Sequence, residues 1–223
     1  MSATLAFAFP ATIDRPCVGS RPSAPLRLFC AKEMIFLEGE PMEFAYRVVE
    51  GAVRLHRMTP DGRRQLVGFA CLGDWLAVGA GSSHSHTAEA LVDSRLSALS
   101  RAEMNRRMKE DPSFSDFILN VAVRKLRQAE DQMIVLGRRN ALEKVASFLV
   151  TLGRRIENDD GDMHLPMDRS DIADYLGLTI ETVSRKFTQL KRAGVIELPC
   201  PSHVRIRERW TLEAIAEGDG TVH

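Results

Sequence analysis

Glu181, Ser184, Arg185 and Thr188 recur at three- and four-residue spacing, which sets four hydrogen-bonding side chains on one face of a helix. Ile180, Val183, Phe187 and Leu190 take the opposite face at the same spacing, so that side is predicted to point inward. The chemistry open to the polar face is base recognition. A guanidinium fork fits O6 and N7 of guanine, and a carboxylate accepts from the amino group of cytosine or adenine in the major groove. Thr179 stands where the N-cap of this helix belongs.

A reading helix needs a second helix to hold it. Ser170 is read as the start and cap of that helix, with Ile172, Ala173 and Leu176 inward, and Gly177 ends it in a left-handed conformation costly for any residue with a Cβ. Ala173, Gly177 and Val183 then supply close approach, a turn and an apolar anchor, the parts of a helix-turn-helix. The competing reading is a helix hairpin packed for stability alone. Such a hairpin has no use for Glu, Ser and Arg together on its exposed face.

Charge points the same way. Lys plus Arg and Asp plus Glu are 30 each, so the formal net charge is zero and an indiscriminate polyanion binder is not expected. Yet Glu181 to Arg209 carries Arg185, Lys186, Lys191, Arg192, Arg205, Arg207 and Arg209 against Glu181, Glu197 and Glu208, a local excess suited to phosphates. Val195 to Leu198 and Val204 to Ile206, flanking Pro199-Cys200-Pro201-Ser202, read as a β-hairpin wing. Arg205, Arg207 and Arg209 either reach phosphates from it or form a solvated arginine face.

Four segments carry this head. Residues 1–28, with Pro10, Pro16, Pro22 and Pro25, read as an N-terminal arm. Residues 29–110 alternate short apolar runs with turn signals, as in a small antiparallel barrel or roll, with 46–49, 52–56 and 65–69 as its clearest strands. Residues 111–138 open on Asp111-Pro112, a capping residue followed by proline at the first helical position, and predict a long helix. Along it Leu119, Ala122, Leu126, Ala129, Met133 and Leu136 form an uninterrupted seam that either pairs with a second copy or packs on the chain's own barrel. Residues 139–223 hold the DNA-reading domain, beginning with an amphipathic helix from Asn140 to Ile156 that the polar run 157–162 breaks. The fold class expected is α+β: an antiparallel roll, a long helix and a winged helix-turn-helix.

Leu176-Gly177-Leu178-Thr179 followed by Glu181-Thr182-Val183-Ser184-Arg185 resembles the recognition helix of the Crp/Fnr family of bacterial transcription regulators, most nearly its FixK branch. Gly51-Ala52-Val53-Arg54, Asp61-Gly62-Arg63-Arg64-Gln65 and Gly137-Arg138 extend the resemblance over about residues 33–206. It implies a sensor roll, a homodimer joined through the seam helix, and TTGA-type half-sites read by Glu181, Ser184 and Arg185. It also implies RNA polymerase as a partner and control of low-oxygen or nitrogen-related genes.

No cofactor is expected. The family's cyclic-nucleotide binders use an Arg-Ser pair at the phosphate, whereas no Lys or Arg occurs between Asp74 and Ser94 and His84-Ser85-His86-Thr87 stands there instead. The family's oxygen sensors hold an iron-sulfur cluster with four cysteines, three of them closely spaced near the N-terminus. This chain has Cys17 and Cys30 in that region, Ser97 at the central ligand position, and Cys71 and Cys200 elsewhere. A different class of function, a cupin-like metal enzyme, is suggested by His84, His86 and Glu89, although a second histidine motif is lacking and the histidines read better as a polar loop or a strand packing pair. Cys200, between prolines and close in sequence to Arg205 and Arg207, is either an inert wing thiol or an oxidation switch. The apolar patch from Leu5 to Phe9 has no basic residue before Arg15, so no secretory leader is read, and no segment reaches membrane-span length. A cytoplasmic location with reduced thiols follows.

Overall fold

Phe44–Glu50 (β3) places Ala45, Tyr46 and Val48 in the core. The computed structural model describes residues 24–219 except 80, 139, 157, 159 and 160, and leaves out the side chain of Arg138. Residues 1–23, hence Cys17 and most of the arm, lie outside the described residues. Leu26–Phe29 (β1) pairs with Ser94–Ser100 (β8), so the roll begins inside the stretch assigned to the arm.

Two four-stranded antiparallel sheets make the roll. One runs β1, β8, β3, then Trp75–Leu76 (β6). The other runs Met34–Phe36 (β2), Thr87–Ala90 (β7), Val53–Met58 (β4), Arg64–Ala70 (β5). Val48, Val53, Leu76 and Leu96 meet between the sheets, fully buried. The strands expected at 46–49, 52–56 and 65–69 fall within β3, β4 and β5, apart from Ala52, which lies just ahead of β4. Gly51, at φ +90°, turns β3 into β4.

Arg101–Glu110 (α1) was not foreseen, because Met104 is its one buried residue and its sequence carries little apolar periodicity. The Asp111 carboxylate then accepts from the N–H groups of Ser113 and Phe114 at 3.0 and 3.2 Å and starts Pro112–Arg138 (α2), the long helix the sequence predicts. Ile118, Val121 and Val135 turn toward the chain's own core. Leu119, Ala122, Leu126, Ala129 and Met133 face away from it, with Leu119 62% and Met133 65% exposed, while Leu136, also exposed, lies beside Gly177.

Ala141–Ile156 (α3) is capped by the Asn140 side chain and buries Val145, Phe148, Leu149 and Leu152. Arg169–Leu176 (α4) and Ile180–Arg192 (α5) form the helix-turn-helix. Asp162–His164 (β9), Ile196–Cys200 (β10) and His203–Ile206 (β11) make a three-stranded wing in the order β10, β11, β9, and Arg209–Glu217 (α6) packs on α3. The hairpin was expected. Its third strand β9 and the helix α6 were not, since three residues and a lone Leu212 to Ile215 step give no readable period. One apolar cluster joins the α3 to α6 domain to Cys71 of the roll and Val135 of α2, with Phe69 and Leu91 packed against it. Among the described residues, no helix is long and apolar enough to cross a membrane.

Candidate nucleic-acid interface

The head is built from its turn outward. α4 is capped by Asp168, whose carboxylate accepts from the Asp171 N–H at 2.8 Å; Ser170, expected to cap, lies inside the first turn. Asp168 wins because its extended backbone precedes the helix and aims the side chain at free N–H groups, with a charge the helix N-terminus favours. Gly177 ends α4 at φ 61°, ψ 45°, and the N–H of Leu178 returns to the Ala173 carbonyl at 3.0 Å. Three residues separate Leu176 from the start of α5, and the Thr179 hydroxyl accepts from the Thr182 N–H at 3.2 Å as the sequence predicts.

Val183, Phe187 and Leu190 anchor α5 at 0 to 1% exposure. Ile180 does not join them: it is 46% exposed, because the first helical turn extends past the apolar surface that covers Val183. Arg169, not singled out in the sequence, lays its guanidinium over the Phe187 ring at 3.5 Å and so fixes the start of α4 on the middle of α5. Burial pulls its pKa down to about 10.

Glu181, Ser184, Arg185 and Thr188 all stand on the exposed side of α5, as the spacing requires. Its own backbone N–H and the Thr179 hydroxyl hold the Glu181 carboxyl below the ordinary carboxylate range, with Arg185 one turn on adding to the effect. Glu181 therefore stays ionised and purely an acceptor. The Thr188 hydroxyl donates to the Ser184 carbonyl at 2.9 Å, leaving it chiefly acceptor capacity toward a base. The face thus presents a fork of donors, an acceptor-only carboxylate and two hydroxyls on a rigid helix end.

The wing is less free than its sequence suggests. Arg205 donates to both oxygens of Asp162, directly opposite on β9, at 2.6 and 2.8 Å, and Arg207 pairs with Glu197 at 2.8 Å. Their guanidiniums brace the wing, so two of the three arginines read as phosphate contacts are engaged within it. Cys200 is exposed, and its thiol is shifted toward the thiolate by hydrogen bonds from Ser202 rather than by the arginines.

The other candidates resolve in the roll. His84 is buried and stacks on Phe36 with centroids 3.8 Å apart. Glu89 receives two hydrogen bonds from Arg54, at 2.7 and 2.9 Å, which occupy both carboxylate oxygens. Both histidines lie in the loop ahead of β7 with their rings against Phe36, and the metal-enzyme reading is set aside; among the described residues no three His, Cys, Asp or Glu gather as ligands. A cyclic phosphodiester fares no better. Desolvation lowers the pKa of His84 and takes that of His86 down to about 4, so both are neutral rings at pH 7. This donor set does not suit a phosphate anion. Cys30 is exposed near β1, Cys71 is buried in the shared core with its thiol pushed up, and Cys200 is in the wing, a scatter that does not suit a four-thiolate cluster.

Comparisons with known proteins agree with this geometry. The Crp-like helix-turn-helix domain matches residues 143–215 and the cyclic nucleotide-binding domain matches residues 26–111. The nitrogen fixation regulation protein FixK of Bradyrhizobium diazoefficiens is 43% identical over 173 residues, covering 76% of this chain and 73% of that protein. The transcriptional activatory protein AadR of Rhodopseudomonas palustris is 41% identical over 188 residues, 83% of this chain and 78% of its own. The solved structure of FixK2 from Bradyrhizobium japonicum superposes with a TM-score of 0.83 at 38% identity, covering 86% of this chain and 96% of that one.

Proposed function

The chain belongs to the Crp/Fnr family of transcription regulators, is FixK-like and is not an enzyme, and on that premise we propose that it works as a cytoplasmic homodimer reading a TTGA-type palindrome. The observation that carries this reading is the face of α5. Glu181, Ser184, Arg185 and Thr188 are exposed together on a helix whose other side is locked by Val183, Phe187 and Leu190. Arg185 supplies the fork for guanine and Glu181 the acceptor for a cytosine or adenine amino group. A second copy supplies the second reading head, joined through the Leu119 to Leu136 seam of α2, whose large side chains stand exposed along the helix.

The regulator acts as an activator that touches RNA polymerase, and its genes serve low-oxygen or nitrogen-related metabolism; the names of its relatives support activation and a nitrogen-related role. It does so without a cyclic nucleotide or an iron-sulfur cluster, in keeping with the neutral imidazoles of the roll and the scattered thiols. A regulator with no effector to await already populates its DNA-binding state. Mobility shifts on a TTGA palindrome in air, with and without cyclic AMP, chelator and reductant, test this. Equal binding in all lanes is expected; a requirement for cyclic AMP, or iron content that tracks with binding, would overturn it.

A further inference from the structure

Asp171 is only 2% exposed, yet it is a carboxylate, and its partners come from the other end of the chain. Its Oδ1 accepts from Arg54 Nη1 on β4 and from Arg64 Nη2 on β5, both at 2.9 Å. The same Arg64 nitrogen reaches Asp174 Oδ2 at 3.0 Å, and Arg54 is itself gripped by Glu89 of β7. The network thus joins three strands of the roll to α4 across 107 to 117 residues of sequence.

A buried carboxylate is costly unless its partners are in place. Neither domain needs this one for its own core, since Asp171 projects from α4 toward the roll and the arginines project from the roll toward α4. Its desolvation is offset only when the two domains meet at one angle. That angle passes directly to the reading face, because α4 is joined to α5 by the short turn at Gly177 and by Arg169 over Phe187. The other end of α4 is tied to the seam helix, where Gln132 of α2 donates to the Tyr175 carbonyl at 2.9 Å. The head is therefore referenced at one end to the roll and at the other to the proposed dimer axis.

We propose that Arg64 and Asp171 are positioning residues for DNA reading: they hold the helix-turn-helix at one angle to the roll, so that a homodimer spans two half-sites at one separation only. This rests on the homodimer reading above. Two heads on one scaffold gain affinity from each other only when the span of the scaffold matches the span of the sites, so a loosened head loses palindrome affinity and spacing discrimination together, while single-site recognition survives.

The test uses full-length protein, a TTGA palindrome, the same palindrome with one base pair added between its halves, and a single half-site. Arg64→Ala should weaken palindrome binding about tenfold, a coupling of ordinary size for linked sites, and shrink the penalty for the added base pair. Half-site affinity should stay within about twofold, because no base-contacting side chain has changed. Arg64→Lys should restore both, since one nitrogen serves both carboxylates and an ammonium can imitate it. Asp174→Asn, which leaves Asp171 paired, should show the same pattern in smaller measure and stands in if Arg64→Ala does not fold. Wild-type spacing discrimination in both alanine and asparagine variants, or tighter palindrome binding by either, would overturn the proposal. If wild type itself bound the palindrome no better than the half-site, the homodimer reading would fail first and take this inference with it.

Discussion

Leu126→Asp should turn the protein into a monomer, and the size of the effect follows from the exposure of that residue. Leu126 is 60% exposed on α2, midway along the seam. Fully burying a leucine gives about 1.5–3 kcal/mol, so covering what this one exposes gives about 1–2 kcal/mol in each chain and ~2–4 kcal/mol across a twofold axis. An aspartate forfeits that and adds two carboxylates buried face to face without cations, each costing several kcal/mol. At 1.4 kcal/mol per tenfold, the dimer dissociation constant should rise by about three orders of magnitude or more. Sedimentation equilibrium over a range of concentrations measures it. Because the side chain lies outside the chain's own core, far-ultraviolet circular dichroism of the monomer should match wild type. Ile118→Ala is the contrast: Ile118 is 6% exposed and faces the chain's own core, so its loss should lower stability by about 2–5 kcal/mol. A Leu126→Asp protein that stayed dimeric at low micromolar concentration would refute the reasoning and move the interface elsewhere.

Arg185→Ala should cost about 1–3 kcal/mol in binding the selected site and erase preference at one base pair, while nonspecific affinity at matched salt persists; competition binding against single-base variants reads this. Gly51→Ala should destabilise more than Gly177→Ala. A Cβ at Gly51 would lie 2.2 Å from Ser94 Oγ and 2.8 Å from the Asp93 carbonyl oxygen, whereas at Gly177 the nearest atom is Leu136 Cδ2 at 3.7 Å. Roughly 2–5 kcal/mol is expected for the first, strain plus overpacking, and about 1–2 kcal/mol for the second, strain alone, as read from urea midpoints. Arg205 holds the Asp162 carboxyl below its ordinary range. Since the folded value is the lower one, the stabilisation is complete above the ordinary carboxylate range and is lost as pH falls through the depressed value. Asp162→Asn should therefore lower stability at pH 7 and flatten the acid limb of the stability curve below about pH 4.

The reading head was legible because its signals are local. A cap at Thr179, a glycine at 177 and a helical period over Val183, Phe187 and Leu190 each act within a few residues, and the same holds for Asp111 and the seam of α2. Two local readings were corrected: Asp168, whose extended backbone precedes the helix, caps α4 in place of Ser170, and Ile180 keeps the helical period yet stands exposed. Short or polar elements left no period to read, so α1, β9 and α6 passed unnoticed. The arginines of the wing looked free because Asp162 pairs with Arg205 across a strand no pattern marked, and Arg54 and Arg64 gave no hint of Asp171, more than 100 residues away. Charge pairing over such separations is fixed by the fold, not by spacing.

Selection from a random pool of double-stranded DNA with the purified full-length protein, in air and with no added ligand, tests the central claim most directly. The account predicts enrichment of two TTGA-type half-sites in inverted orientation at a single spacing, and loss of preference at one position of each half when Arg185→Ala is used. Enrichment of a lone half-site, of half-sites at variable spacing, or of no sequence at all would contradict it.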